Sequence, residues 1–593
     1  MDAALLTQRL RNQAVALAPK QKASDKSNAT TLGAQLAGAG TFWFNGLALQ
    51  GGCDCTPPST TPQPDPTPLQ TFVFATQELV FQYIVSTNCG PTLASRYLYL
   101  WMTTVTSAYS WAQTTGPLTA VIDGWDWSIH HPLSNVGYVA AWMTQVLAIA
   151  MPLLVPGTTA AQLLQLERNL RLWTPLDQAV QAGYVNETAK VALWRIAWTA
   201  WFVARQHDGS VQAQALPTFS QLPNGGLLLD PAITQDISGS YPAPFQWTPL
   251  VIASIPKPYY TRTWETVQSV VLTSTDDTAA KAAAAPFFPG PNVPFPQPPT
   301  TNTTVRYNEL ADVVAKTGLL GLPPCPGSPT DSDVYKVLAE FWAGGPKTLT
   351  PPGQFMWMWR QYALAFQISQ QTSYGYEALF YSGLDLAIHL FEMGRVAWGI
   401  KLQYTEARPI QDIRRNYATT DLSGWRTTRD PLTGAIRPAA DVSGSLWLPY
   451  QAANFVTPAF PDFVSGHSAY SEVFALVMGD WYGDTIPVSR PTVATDLPLF
   501  SPILQGTQTQ PFGVFQVSPG ASAIQPTIVP HTPVTLTFST FQQMATSAGL
   551  SRQWGGIHAA SAHTGGQAAA QSVHASILTH INAQSTIRGR SPL

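Results

Sequence analysis

The chain has 593 residues, 45% of them hydrophobic, and a formal net charge of −3. It is long enough to bury at least one large core, and its charge balance gives no reason to expect a nucleic-acid partner. Charged residues make up only 11%, against about 25% in ordinary globular chains, so Thr, Ser, Gln, Asn and Pro must cover the surface. A secreted or homo-oligomer-buried surface and a plain lineage composition both fit that count.

The first 29 residues are polar and have no apolar signal core, so no secretory peptide is expected and no compartment is assigned. Cys53 and Cys55 stand too close for an ordinary bridge and lack the second pair of a zinc site, while Cys89 and Cys325 stand alone. All four are read as structural or incidental. Apolar periodicity predicts helices over 70–87, 91–113, 136–151 and 188–206. Residues 136–155 are twenty without a charge, long enough to cross a bilayer, but no basic flank or second span accompanies them. A buried core helix is expected there.

Pro-rich residues 286–304 read as a linker. The expected organisation is an N-terminal extension over 1–68, a helical domain over 69–285, this linker, and a second helical domain over 305–593. Beyond the linker, helices are predicted over 306–318, 333–343, 354–371, 376–404, 466–482, 539–550 and 567–582. The best strand signal is VTLTFST at 534–540. His130, His131, His207 and His389 have no evident partner and are read as structural.

Three stretches of the second half carry chemistry: KLQYTEARP from Lys401, VSGHS from Val464 and SRQWGGIH from Ser551. Lys401 lies near the end of a core helix, and Pro409 turns the chain just after Arg408. Ser465 and Gly466 open the next helix, whose unpaired N–H groups and positive dipole end suit an anion. His467 falls in its first turn. Arg552 and His558 are six residues apart on a helix or its continuation, about 9 Å in rise, so their side chains must lean together. Two Arg, one Lys, a Ser-Gly turn and two His together suit a buried tetrahedral oxyanion with a proton donor beside it. Taken singly, each residue has an ordinary structural explanation; the ordered combination does not.

Lys401, Arg408-Pro409, Ser465-Gly466-His467, Arg552 and His558 together resemble the signature shared by vanadate-dependent haloperoxidases and type 2 phosphatidic acid phosphatases. FWAGGPKTLTPPG at 341–353 and ASRYLYLWMTTVTSAYSWA at 94–112 are similar to segments of bacterial haloperoxidase-like proteins, and the long N-terminal half favours that branch. The resemblance implies an all-α fold of two helical bundles with the site in the C-terminal one. It implies vanadate as cofactor, with Lys401, Arg408, Ser465, Gly466 and Arg552 around its oxygens and His558 as the ligand to vanadium. His467 would then move the proton of hydrogen peroxide, and Lys401 would assist catalysis, with a halide and a small organic acceptor as the other reactants. Trp398 and Phe460 match positions that hold Trp and Phe in fungal chloroperoxidases, which implies a halide pocket.

The same residues in a phosphatase would make His558 a nucleophile and His467 the leaving-group acid. Three positions depart from the family pattern: Val464 replaces a common Pro, Ala562 replaces a common Asp four residues after His558, with His563 next, and Gly344 replaces a common Asp. The second departure removes a carboxylate from the His558 region and the third a partner for an arginine, so a weakened oxyanion-binding relative is a third reading.

Overall fold

The computed structural model describes residues 68–113, 136–163, 187–214, 235–236, 247, 250–252, 255–257, 259–289, 303–328, 331–345, 347–368, 375–429, 432–433, 435–438, 440–453, 455–487, 492–496, 500–504 and 507–582. The expected roles of Cys53, Cys55, His130 and His131 lie outside the described residues, as does 290–302 of the expected linker.

Among the described residues the architecture is all-α, with four short strand pairs and one small three-stranded sheet. The N-terminal half contributes α1 (Pro68–Thr87), α2 (Pro91–Gln113), α3 (Val136–Leu154), α4 (Glu187–Gln206), α5 (Ser210–Gln214) and α6 (Ser274–Ala284). The second half holds α7 (Thr303–Leu319), α8 (Ser332–Phe341), α9 (Thr350–Ala365), α10 (Gly375–Tyr404), α11 (Pro409–Asn416), α12 (Gly466–Tyr482), α13 (Phe541–Trp554) and α14 (Ala560–Asn582). No described helix is long and apolar enough to cross a membrane. The uncharged stretch forms α3, which buries Trp142, Met143, Val146, Leu147 and Met151 and packs on α2.

The axis of the molecule is α10. Its residues are apolar on every side, which demands burial all round, and only Ala378, Leu402 and Gln403 escape full burial. It packs against α2, α12 and α14. On the α2 side Tyr99 stacks on Phe391 with centroids 5.2 Å apart, and Tyr109 meets Phe380 at 4.4 Å. On the α12 side Gly394 admits Tyr470, since a Cβ there would stand 2.7 Å from the tyrosine oxygen. One continuous hydrophobic core therefore runs from Leu69 in α1 to Ile581 in α14. His389, inside α10, is a satisfied core histidine: one ring nitrogen lies 2.8 Å from the Asp385 carbonyl and the other 3.1 Å from His574.

Element boundaries moved in places for local reasons. α9 starts at Thr350 rather than 354, because Pro351 and Pro352 fit a first turn, where no N–H acceptor is needed. α14 starts at Ala560, seven residues before the expected 567, and its Gly565 and Gly566 lie tight against Phe463, Val464 and Ser465. The expected linker narrows at both ends. A short 3-10 turn covers Ala285–Phe287, Phe288 packs against Tyr404 and Phe463, and α7 already begins at Thr303. The strand signal at 534–540 is a real strand over Val534–Thr537, antiparallel to Val514–Val517 with Val514 opposite Thr537. That hairpin delivers Phe515, and the following Phe538, to Phe341 and Trp342 at the end of α8.

Candidate oxyanion site

Lys401 ends α10, Arg408 precedes α11, Ser465 caps α12, and Arg552 lies in the last turn of α13. All are fully buried, as is His558, and His467 nearly so. Ser465 is the N-cap of α12: its backbone is extended and its hydroxyl accepts from Ser468 N at 3.3 Å. That leaves the N–H groups of Gly466 and His467 at the positive end of a 17-residue helix. Nothing but Tyr470, at 4.0 Å, stands near the missing Cβ of Gly466, so an anion can approach the backbone there. His563, next to Ala562, supports this turn through a 2.8 Å contact with the Ser468 hydroxyl.

The cations are fixed from behind. Lys401 Nζ donates to the carbonyls of Pro461 at 2.7 Å and Asp462 at 3.1 Å, leaving one of its three N–H groups for another acceptor. Arg408 donates from Nε to Phe460 O at 2.7 Å and from Nη1 to Ile557 O at 2.9 Å. Arg552 donates to the Ser551 hydroxyl and the Ala339 carbonyl. One nitrogen of each guanidinium, Nη2 of Arg408 and Nη1 of Arg552, is buried without a protein acceptor. Unpaired buried donors are costly, and two on neighbouring cations call for an anion. Burial lowers Arg408 to about 10 and Arg552 to about 9, still protonated at neutral pH. Lys401 is held well below its ordinary value by burial, then by the charge of Arg408.

The two histidines are set in opposite ways. His467 Nε2 donates to the Trp342 carbonyl at 2.7 Å, so Nδ1 keeps the lone pair. Burial, followed by Arg552 and His558, keeps its pKa well below the usual value, so the ring is neutral. His558 donates instead from Nδ1 to the Asp462 carboxylate, leaving the lone pair on Nε2. Arg408 Nη1 lies against the same ring, 3.1 Å from Nε2 and 3.4 Å from Nδ1, and burial followed by Arg408 depresses this histidine as well.

Arg552 and His558 do not share a helix. α13 ends at Trp554, and Gly556 takes φ +73°, a conformation in which an L side chain is strained. The Ile557 N–H returns to Arg552 O at 3.0 Å, so a turn rather than a helical rise brings the two side chains together.

Trp398 and Phe460 are in ring contact at 4.8 Å. Phe460 lies beneath both cations, with its centroid 5.0 Å from Lys401 Nζ and 4.9 Å from Arg408 Cζ, each within cation–π range. Trp398 is buried behind it and donates its indole N–H to Tyr260 O at 3.0 Å. Gly344 borders His467 rather than an arginine: a Cβ there would stand 3.3 Å from His467 Nε2. Arg552 takes its acceptor from the Ala339 carbonyl of α8.

Sequence reasoning missed Asp462 and Arg306. Asp462, in the segment before Ser465, brings a carboxylate to His558, whereas Ala562 offers none. Its signal was a lone acid three residues before an anion-binding turn. Arg306 is buried among four carboxylates, at 3.6 Å from Glu309, 3.3 Å from Glu406, 3.1 Å from Asp412 and 3.5 Å from Asp462. It pairs with the acids behind the site, and no motif marks it.

Residues 383–586 match the family model described as the VCPO second helical-bundle domain. The whole fold is similar to a holo-type bacterial vanadium-dependent chloroperoxidase, with a TM-score of 0.52, 16% identity and coverage of 83% of this chain and 93% of that one. It is also similar to a bacterial vanadium-dependent iodoperoxidase, with a TM-score of 0.51, 17% identity and coverage of 88% and 98%. Among curated proteins none matches.

Proposed function

We propose that this chain, a vanadium haloperoxidase-like protein in its fold and its second helical bundle, is a vanadate-dependent haloperoxidase. It would use hydrogen peroxide to oxidise bromide, and chloride at acid pH, to hypohalous acid for halogenation of small organic acceptors. The observation that carries the reading is the pair of buried, unpartnered guanidinium nitrogens on Arg408 and Arg552, beside a histidine whose Nε2 lone pair points away from its carboxylate partner and is approached by Arg408 Nη1 at 3.1 Å. These residues fit vanadate. Lys401, Arg408, Arg552, Ser465 and the Gly466 N–H would hold its oxygens, and His558 Nε2 its vanadium.

Bound vanadate supplies Lewis acidity, activating hydrogen peroxide towards a halide with no change in its own oxidation state. The chain does the rest. Neutral His467 accepts a proton from peroxide at Nδ1 and returns it to the leaving oxygen, because the Trp342 carbonyl holds its other nitrogen in the donor role. Lys401 directs its remaining N–H at the developing negative charge. The C-terminal unit over 305–593 carries this machinery, and the helices over 69–285 cover one flank of α10.

The deciding assay uses metal-free protein with bromide and hydrogen peroxide, with and without orthovanadate, beside a phosphate-ester assay. Vanadate-dependent bromination is the expected result. Ester hydrolysis inhibited by vanadate would replace it with a phosphohistidine enzyme, and neither activity with a non-catalytic oxyanion binder.

Halide choice should depend on Phe460. Its ring presents an apolar face to Lys401 and Arg408, so no additional imidazole competes for the hydrogen bonds that activate peroxide. Phe460→His should depress chloride oxidation more than bromide oxidation, since chloride is the harder halide to oxidise. Steady-state rates for both halides at one pH and equal vanadate occupancy give the ratio; an unchanged ratio means that the ring only packs.

A further inference from the structure

We infer that Asp462 is the positioning residue that presents Nε2 of His558 to the oxyanion. The inference rests on the proposed reading of His558 as the residue that bonds the central atom.

The position four residues after His558 cannot serve. Ala562 is fully buried, and its carbonyl accepts from Ser465 N at 2.8 Å, so that segment is committed to holding the anion turn. Asp462 comes from a different part of the chain, 96 residues before His558, and is clamped through every polar group it has. Its N–H donates to Glu406 O at 2.9 Å, and its carbonyl accepts from Lys401 at 3.1 Å. Oδ2 faces two donors, Ala559 N at 3.4 Å and Arg306 Nη1 at 3.5 Å. Oδ1 is thereby directed at His558 Nδ1. A carboxylate can only accept, so Nδ1 must carry the proton and Nε2 the lone pair.

This arrangement predicts an unusual order of variant effects. In Asp462→Asn, the donors Ala559 N and Arg306 claim the amide oxygen, and the amide nitrogen turns to His558. Nδ1 must then accept, the ring proton moves to Nε2, and the lone pair needed by the anion is lost. Asp462→Ala leaves either tautomer open. Asparagine, the better mimic of size and shape, should therefore harm vanadate binding more than alanine; a packing role gives the reverse order.

The test is equilibrium dialysis of orthovanadate against the full-length wild type and both variants, with 15N shifts of the His558 ring recorded on metal-free protein. Expected are a proton on Nδ1 in the wild type and on Nε2 in Asp462→Asn, with affinity lower on the order of 10- to 100-fold or more in the asparagine variant and less reduced in the alanine one. An Nε2 proton in the wild type, or wild-type affinity in Asp462→Asn, overturns the inference. If Asp462→Asn does not fold, the wild-type tautomer and the alanine affinity still decide. If the wild type binds no vanadate, the proposed function fails, and the ring shifts alone decide the role of Asp462.

Discussion

His558→Ala should abolish tight vanadate binding and all vanadate-dependent halogenation while leaving the fold intact. The two histidines in the site keep their lone pairs on different nitrogens: His558 on Nε2, opposite the Asp462 carboxylate, and His467 on Nδ1, opposite the Trp342 carbonyl, and only the first is proposed to bond the central atom. The cations and the α12 turn would still attract an oxyanion, so weak, salt-sensitive association should persist without a bond to the central atom. The stability cost is bounded, because Asp462 keeps Arg306 and Ala559 N after the ring is gone. A loss of about 1–3 kcal/mol is expected for one buried hydrogen-bonded pair. Dialysis followed by metal analysis checks the binding, and thermal unfolding checks the fold. Stoichiometric vanadium retained by the variant would remove His558 from the site.

The second large effect belongs to proton transfer. His467→Ala should retain vanadate, since the ring contributes no lone pair to the group of residues that hold it, yet lose turnover by on the order of 100-fold or more, as expected for a general acid or base. The structure makes this separation sharp. Neither Ser465 nor Gly466 depends on the imidazole for its conformation: the cap is held by Ser468 N and by the Ala562 carbonyl. Metal content and bromination rate measured on the same preparation test the pair of claims. Near-normal turnover would show that peroxide loses its proton elsewhere.

How much of this was legible beforehand follows from where the physical signal lay. α10 was readable because its apolar residues continue for eight turns, and α12 because a Ser-Gly cap precedes an apolar run. The candidate site residues stood out because a multiply charged anion demands several donors, and few ordered combinations supply them. α11 was hidden by its brevity, eight residues rich in charge, and α6 by its largely polar and small side chains, although Thr273 and Asp276 form a full capping box at its start. The Arg552–His558 relation failed for a different reason. A helical rise was assumed across Gly555 and Gly556, and the left-handed Gly556 instead folds the chain back. Asp462 was not singled out because an acid was sought at a fixed offset from His558, whereas a carboxylate reaches the ring through space from another loop.

The core that joins α2 to α10 also bears on what a protease could do to this protein. A single cut within residues 290–302 would break the chain between the two halves without separating them, because Tyr99, Tyr109 and their neighbours remain wedged against Phe391 and Phe380. The nicked protein should elute from a sizing column at the position of the intact one and fall apart only in denaturant. Dissociation without denaturant would mean that the two pieces are held mainly by the peptide bond between them. If they do stay together, the N-terminal helices act as a fitted wall for α10, and Lys401 at its far end inherits its fixed place from residues three hundred positions earlier in the chain.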